Sequence, residues 1–125
     1  MKKLFLLIFT WWNGQTLGTW WYTARRGRKV GADELGNRYF VDRNDRRWVI
    51  YNGLAEASRV PPGWSAWLHH NGDVTPTEAE YRPRVWEKPH LPNMTGSAAA
   101  YRPKGSTLAG DQRPRVTGDY EAWKP

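Results

Sequence analysis

His69 and His70 stand side by side, His90 lies in the C-terminal part, and the chain has no cysteine. Neighbouring histidines diverge on a helix, and no H-E-x-x-H spacing is present. Without thiolates, Cys-ligated zinc, iron–sulfur clusters, disulfides and cysteine nucleophiles are all excluded. One histidine of the pair is expected to cap or pack at a helix end and the other to be solvated. The carboxylates that could pair for acid–base work are Asp33-Glu34, Asp42 and Asp45, and Glu78 with Glu80. The first four flank turns and alternate with Arg38, Arg43, Arg46 and Arg47, a pattern of surface ion pairs or solvated turns rather than of an acid–base pair. Gly14, Gly18, Gly27, Gly31 and Gly36 lack the spacing of a phosphate loop, and there is no serine elbow. The expectation is a protein that is not an enzyme, with no catalytic residue, no cofactor, no metal and no small-molecule substrate.

The remaining chemistry is that of binding. The 125 residues carry 19 Lys+Arg against 12 Asp+Glu, a net charge of +7 and a pI near 10.0. Hydrophobic residues are 39% and the mean hydropathy is -0.81, yet there are nine Trp, six Tyr and three Phe, each offering a large contact area. Nearly all the excess charge sits in residues 1–70. There Arg25, Arg26, Arg28 and Lys29 follow Trp20, Trp21 and Tyr22, which permits phosphate contacts and base stacking. A small basic nucleic-acid-binding β-module is therefore the alternative reading. Against it, an N-terminal apolar run has no role in such a module, and Trp20 and Trp21 on a strand would point to opposite faces, placing one in the core. The Arg/Lys run reads either as a solvated hairpin turn or as a contact for an acidic protein or a lipid surface, and Arg25 and Arg26 are the residues expected to make that contact.

Three segments must position these groups. Residues 1–13 open with Met1-Lys2-Lys3 and run through Leu4–Phe9 to Trp11-Trp12. Spanning a membrane takes about 20 apolar residues, and Asn13-Gly14 ends this run too early. No small-residue cleavage site follows it. Such a segment suits an interfacial helix with Trp11 and Trp12 as contact residues, on lipid or on protein.

Residues 14–70 carry the strand signals. Thr16–Thr23 is rich in β-formers, Arg28–Gly31 makes a short strand, and Asn37–Asp42 and Arg46–Tyr51 form a hairpin. Ala55–Ser58 makes one helical turn, and Pro62 opens a short helix. Trp48, Trp64 and Trp67 are the expected structural residues, the last two sharing a helical face. The fold class is α+β, mostly β: a small three- to four-stranded antiparallel sheet with an N-terminal interfacial helix, one short helix and a long extended C-terminal tail.

That tail, residues 71–125, holds seven of the nine prolines and no apolar periodicity. A segment of this composition cannot bury enough surface to offset its ordering entropy. Tyr81, Trp86, Tyr101, Tyr120 and Trp123, spaced by polar residues, read as anchors that dock one at a time on another surface.

The string Val60-Pro61-Pro62-Gly63-Trp64-Ser65-Ala66-Trp67-Leu68-His69-His70, preceded by Gly36-Asn37-Arg38-Tyr39-Phe40 and Arg46-Arg47-Trp48-Val49-Ile50-Tyr51, resembles one family. This is the twelfth alpha-subcomplex accessory subunit of respiratory complex I, NADH:ubiquinone oxidoreductase, whose paralogue is the assembly factor mimitin. Tyr101-Arg102-Pro103 and the ending Gly118–Pro125 resemble the tails of bacterial members, and the chain is shorter than animal ones. Gly63 stands where the family usually has Glu, so an ion pair made by that Glu has no counterpart here.

The resemblance implies a cofactor-free accessory subunit, or a paralogous assembly factor, at the junction of the peripheral and membrane arms. Its implied partners are other complex I subunits, above all the iron–sulfur subunit with two tetranuclear clusters, together with peripheral contact to the membrane. No nucleic acid is implied. The implied location is the cytoplasmic face of the bacterial inner membrane, or the matrix side in a mitochondrion.

Overall fold

The computed structural model describes residues 2–79 and 81–124. The expectations that touch Met1, Glu80 and Pro125, and the side chains of Lys2 and Lys3, lie outside the described residues. Contacts divide the chain into two compact units, Met1–Pro92 and Asn93–Pro125.

In the first unit, α1 (Lys2–Phe9) is followed by α2 (Leu17–Arg26), β1 (Arg28–Ala32), β2 (Arg38–Val41) and β3 (Arg47–Ile50). A 3-10 turn (Ala57–Arg59) then leads to α3 (Pro62–Leu68). The three strands form one antiparallel sheet in the order β1-β2-β3, with Arg28 opposite Val41 and Val41 opposite Arg47. Thr10–Gln15 is tied to the loop after β3 by the Asn13–Leu54 bridge and by the Ala55 amide donating to the Trp12 carbonyl at 2.7 Å.

The sheet has two covered faces. On one, Tyr39 and Val41 pack with Val60, Trp64 and Trp67, flanked by Val30, Val49, Tyr51 and Leu68. The bulge between Lys29 and Gly31 breaks strict alternation where Trp64 comes closest. A Cβ on Gly31 would lie 2.5 Å from the Trp64 ring, so only glycine lets the indole lie on the strand. On the other face, Phe40 and Trp48 lie with rings near-parallel, 6.0 Å apart, and Tyr22 of α2 meets Trp48 edge-on at 5.4 Å.

The expected strand at Thr16–Thr23 is α2 instead. Thr16 is an N-cap whose hydroxyl accepts from the Thr19 amide at 3.2 Å, satisfying one of the free donors of the first turn. Leu17, Trp20, Trp21 and Ala24 recur at helical spacing, a period that outweighs the β preference of Trp, Tyr and Thr. Both Trp20 and Trp21 are exposed, whereas a strand would have buried one. Among the described residues the sheet accordingly has three strands.

Beyond α3, still within the first unit, Asp73 accepts from Arg47 and Thr75 is buried. Residues 93–124 contain turns and no helix or strand among the described residues. The Met94 and Ser97 carbonyls accept from the Ser97 and Ala100 amides, and Asp119 accepts from Arg113 and from the Val116 amide.

Candidate partner-binding surfaces

The residues that carried the family resemblance meet in the core. Tyr39, fully buried, stacks on Trp64 with ring centroids 3.9 Å apart and meets Trp67 edge-on at 6.4 Å. Its hydroxyl donates to Asp33 Oδ2 at 2.7 Å. Burial, reinforced by that carboxylate, pushes the phenol far above its ordinary range and keeps it protonated.

Asp33 also accepts from the Asn37 amide and from Asn37 Nδ2. Asn37, itself fully buried, donates further to the Arg59 carbonyl, and its Oδ1 accepts from the Asn52 amide. One side chain thus joins the turn before β2, the loop after β3 and the 3-10 turn, each of its polar atoms satisfied. Sequence reasoning placed Asp33 in a solvated turn and overlooked Asn37. Asp-x-x-x-Asn across a tight turn was the signal available.

Arg47 closes the far end of the core. It donates to both Asp45 oxygens, to Asp73 Oδ1 and to the carbonyls of Trp67 and Gly72 at 2.8 and 3.0 Å, and its guanidinium lies 5.0 Å from the Trp67 ring centre. These bonds raise the Arg47 pKa and hold Asp45 below the usual carboxylate value. The C-terminus of α3 follows the Schellman pattern, with the His70 amide on the Trp67 carbonyl and the Asn71 amide on the Ala66 carbonyl. His70 takes the left-handed position at φ 56° and His69 caps the helix. Of the expected ion pairs or turns, Asp42 makes a turn: Tyr22 donates to it at 2.6 Å, and the amides of Asn44 and Arg46 bind its other oxygen.

Of the expected structural residues, Trp64 and Trp67 lie in this core. Trp48 is half-buried on the opposite sheet face, its Nε1 donating to Thr23 Oγ1 at 3.0 Å. Among the described residues no group of three or more His, Asp or Glu could hold a metal ion.

The expected partner residues are spread over the surface. Trp11 and Trp12 are exposed beside α1, whose Leu4, Phe5, Ile8 and Phe9 are exposed too. Arg25 and Arg26 project from the end of α2, resting on the rings of Trp21 and Tyr22 at 5.3 and 5.9 Å. Tyr81 and Trp86 belong to the first unit and Tyr101, Tyr120 and Trp123 to the second. All five are largely exposed, Tyr101 at 90%. Val85, Leu91 and Leu108 are exposed apolar residues that sequence reasoning did not single out.

A family model described as NADH ubiquinone oxidoreductase subunit NDUFA12 matches residues 27–125. A Dictyostelium discoideum protein named NADH dehydrogenase [ubiquinone] 1 alpha subcomplex subunit 12 is 33% identical over 97 residues, covering 71% of this chain and 70% of its own. The Bos taurus protein of the same name is 36% identical over 99 residues, 67% of this chain and 68% of its own. An uncharacterized Rickettsia prowazekii protein is 34% identical over 84 residues, 62% of this chain and 77% of its own. The strings 36–40, 46–51 and 60–70, which build the Tyr39–Trp64–Trp67 core, all fall inside the matched region, and the chain belongs to the NADH ubiquinone oxidoreductase subunit NDUFA12 family.

Proposed function

We propose that the chain is a non-catalytic accessory subunit of NADH:ubiquinone oxidoreductase that stabilises the enzyme or completes its assembly. It would sit peripherally where the peripheral arm meets the membrane arm, with residues 1–13 against the membrane and the tail laid over neighbouring subunits. The iron–sulfur subunit with two tetranuclear clusters is the foremost partner in this reading, and the cytoplasmic face of a bacterial inner membrane its location.

The observation that carries the reading is the distribution of aromatic side chains. A few of them fill one small core, while Trp11, Trp12, Tyr81, Trp86, Tyr101, Tyr120 and Trp123 stand exposed. A chain of this kind buries most of its apolar area only on a partner, and binding that favours the folded form stabilises it in turn. Among the described residues no helix is long and apolar enough to cross a membrane, in keeping with a peripheral attachment of the first segment.

The test is to purify the NADH dehydrogenase from membranes of the source cell and identify its subunits by mass spectrometry. Stoichiometric presence in the mature enzyme is expected. Presence only on incomplete subcomplexes would make the chain an assembly factor, and co-purification with neither would end the proposal.

A further inference from the structure

Helix α2 is seated with its polar side inward. Thr19, Tyr22 and Thr23 are its half-buried positions, and they hold the sheet through hydroxyls: Tyr22 to Asp42 and Thr23 to Trp48. The opposite stripe of Leu17, Trp20, Trp21 and Ala24 is exposed, and no residue of the helix is fully buried. An amphipathic helix ordinarily turns its apolar stripe to the core, so a face inverted in this way is made to be covered from outside.

The charge around it has one sign. From Met1 to Ala32 every charged side chain is basic, and the first carboxylate is Asp33. At the end of α2, Arg25, Arg26, Arg28 and Arg43 line a recess of about 760 Å³. The one carboxylate in its wall, Asp42, is already engaged by the Tyr22 hydroxyl and by backbone amides.

We propose that the outward face of α2 lies in the headgroup layer of a membrane containing anionic phospholipid, with Trp20 and Trp21 at the level of the acyl boundary and the recess arginines on lipid phosphates. Tryptophan beside arginine, at the edge of a short amphipathic helix, is the composition of an interfacial element. The unbroken positive charge matches an anionic surface, which attracts each cation near it. An apolar protein groove would accept the stripe but gives no reason for excluding acidic residues from the first 32 positions. The family match begins at residue 27, so α2 lies ahead of it. The inference rests on the reading of this protein as peripheral to a membrane, and it assigns that contact to a second element besides residues 1–13.

The chain lacks cysteine, so a single nitroxide can be placed on the full-length protein at Ala24→Cys on α2, at Ile8→Cys on α1 or at His69→Cys, exposed at the end of α3 on the opposite side of the sheet. Each labelled protein is mixed with vesicles of phosphatidylcholine alone or with added phosphatidylglycerol, and collisions with oxygen and with a water-soluble nickel reagent are compared. The proposal expects the label at Ala24 to be shielded from nickel on anionic vesicles and that at His69 to stay accessible. Trp20→Gln with Trp21→Gln should weaken vesicle binding by roughly tenfold or more, and Arg25→Gln by about fivefold on anionic vesicles only. Neither variant touches the core, and an unchanged melting midpoint verifies it. Shielding at Ile8 without shielding at Ala24 overturns the proposal and leaves the reading of residues 1–13 standing. Shielding at Ala24 alone does the reverse. Shielding of Ala24 only in the assembled enzyme, and not on vesicles, makes the occupant a protein and also overturns it.

Discussion

Tyr39, Trp64 and Trp67 make three mutual ring contacts, so the loss of one leaves two surfaces unmatched. Trp67→Ala removes a nearly fully buried indole and is expected to destabilise the domain by about 3–5 kcal/mol, read from chemical denaturation of the full chain. His70 tests the opposite direction. Its left-handed backbone costs a non-glycine residue about 1 kcal/mol or more, and its half-exposed imidazole lies 3.4 Å from Asp45. His70→Gly is therefore expected to melt at or above the wild-type temperature, and His70→Val below it.

Asp42 supplies a pH dependence. Its pKa is lowered from 3.8, first by the Tyr22 hydroxyl and then by backbone amides. A carboxyl depressed in the native state contributes stability above its unfolded value and loses that contribution as pH falls through the native one. Tyr22→Phe is expected to move the Asp42 titration, followed by carboxyl-carbon NMR, upward toward 3.8 and to flatten the loss of stability in acid.

At the scale of elements, what could be read in advance depended on how local the determinants were. The hairpin was legible because Arg43-Asn44-Asp45 separates two β-branched and aromatic runs, and Asp42 does fold the turn by binding the Asn44 and Arg46 amides. The Pro62 start of α3 and the pairing of Trp64 with Trp67 on one face were legible for the same reason. The segment 16–23 was misread because composition was weighed above period. Its apolar stripe has helical spacing but points outward, so burial gives no help in recognising it. The Asp33–Asn37 node escaped because its partners, Asn52 and Arg59, are distant in sequence.

Helix α2 is held by few contacts, of which the Trp48 Nε1 bond to Thr23 is central. Thr23→Val leaves that indole donor without its acceptor and is expected to cost about 1–3 kcal/mol. Hydrogen exchange should report faster opening across 17–26, with the β2–β3 amides slowed as before.

The molecule as a whole joins a small ordered domain to a long segment whose apolar groups face outward. Asp73 is bonded to Arg47, Thr75 is buried, and His90 Nε2 lies 2.8 Å from the Ser58 carbonyl, so residues as far as Pro92 contribute to the first unit. Asn93–Pro125 forms the second, with Tyr101, Tyr120 and Trp123 exposed on it. Turns close locally there, but no buried apolar cluster accompanies them among the described residues, and proline denies the segment a continuous helix or a central strand.

Anchors on one chain act together. Docking of the first raises the effective concentration of the next, so the set can hold tightly while each member binds modestly. Removing residues 93–125 is therefore expected to reduce retention of the subunit in salt-washed complex far more than Tyr101→Ala, Tyr120→Ala or Trp123→Ala alone. The truncated chain should keep the melting midpoint of the first unit, because Arg47, Thr75 and His90 keep their partners. If a single anchor substitution released the subunit as completely as the truncation, the tail would be held by one dominant pocket, and the account of distributed attachment would fail.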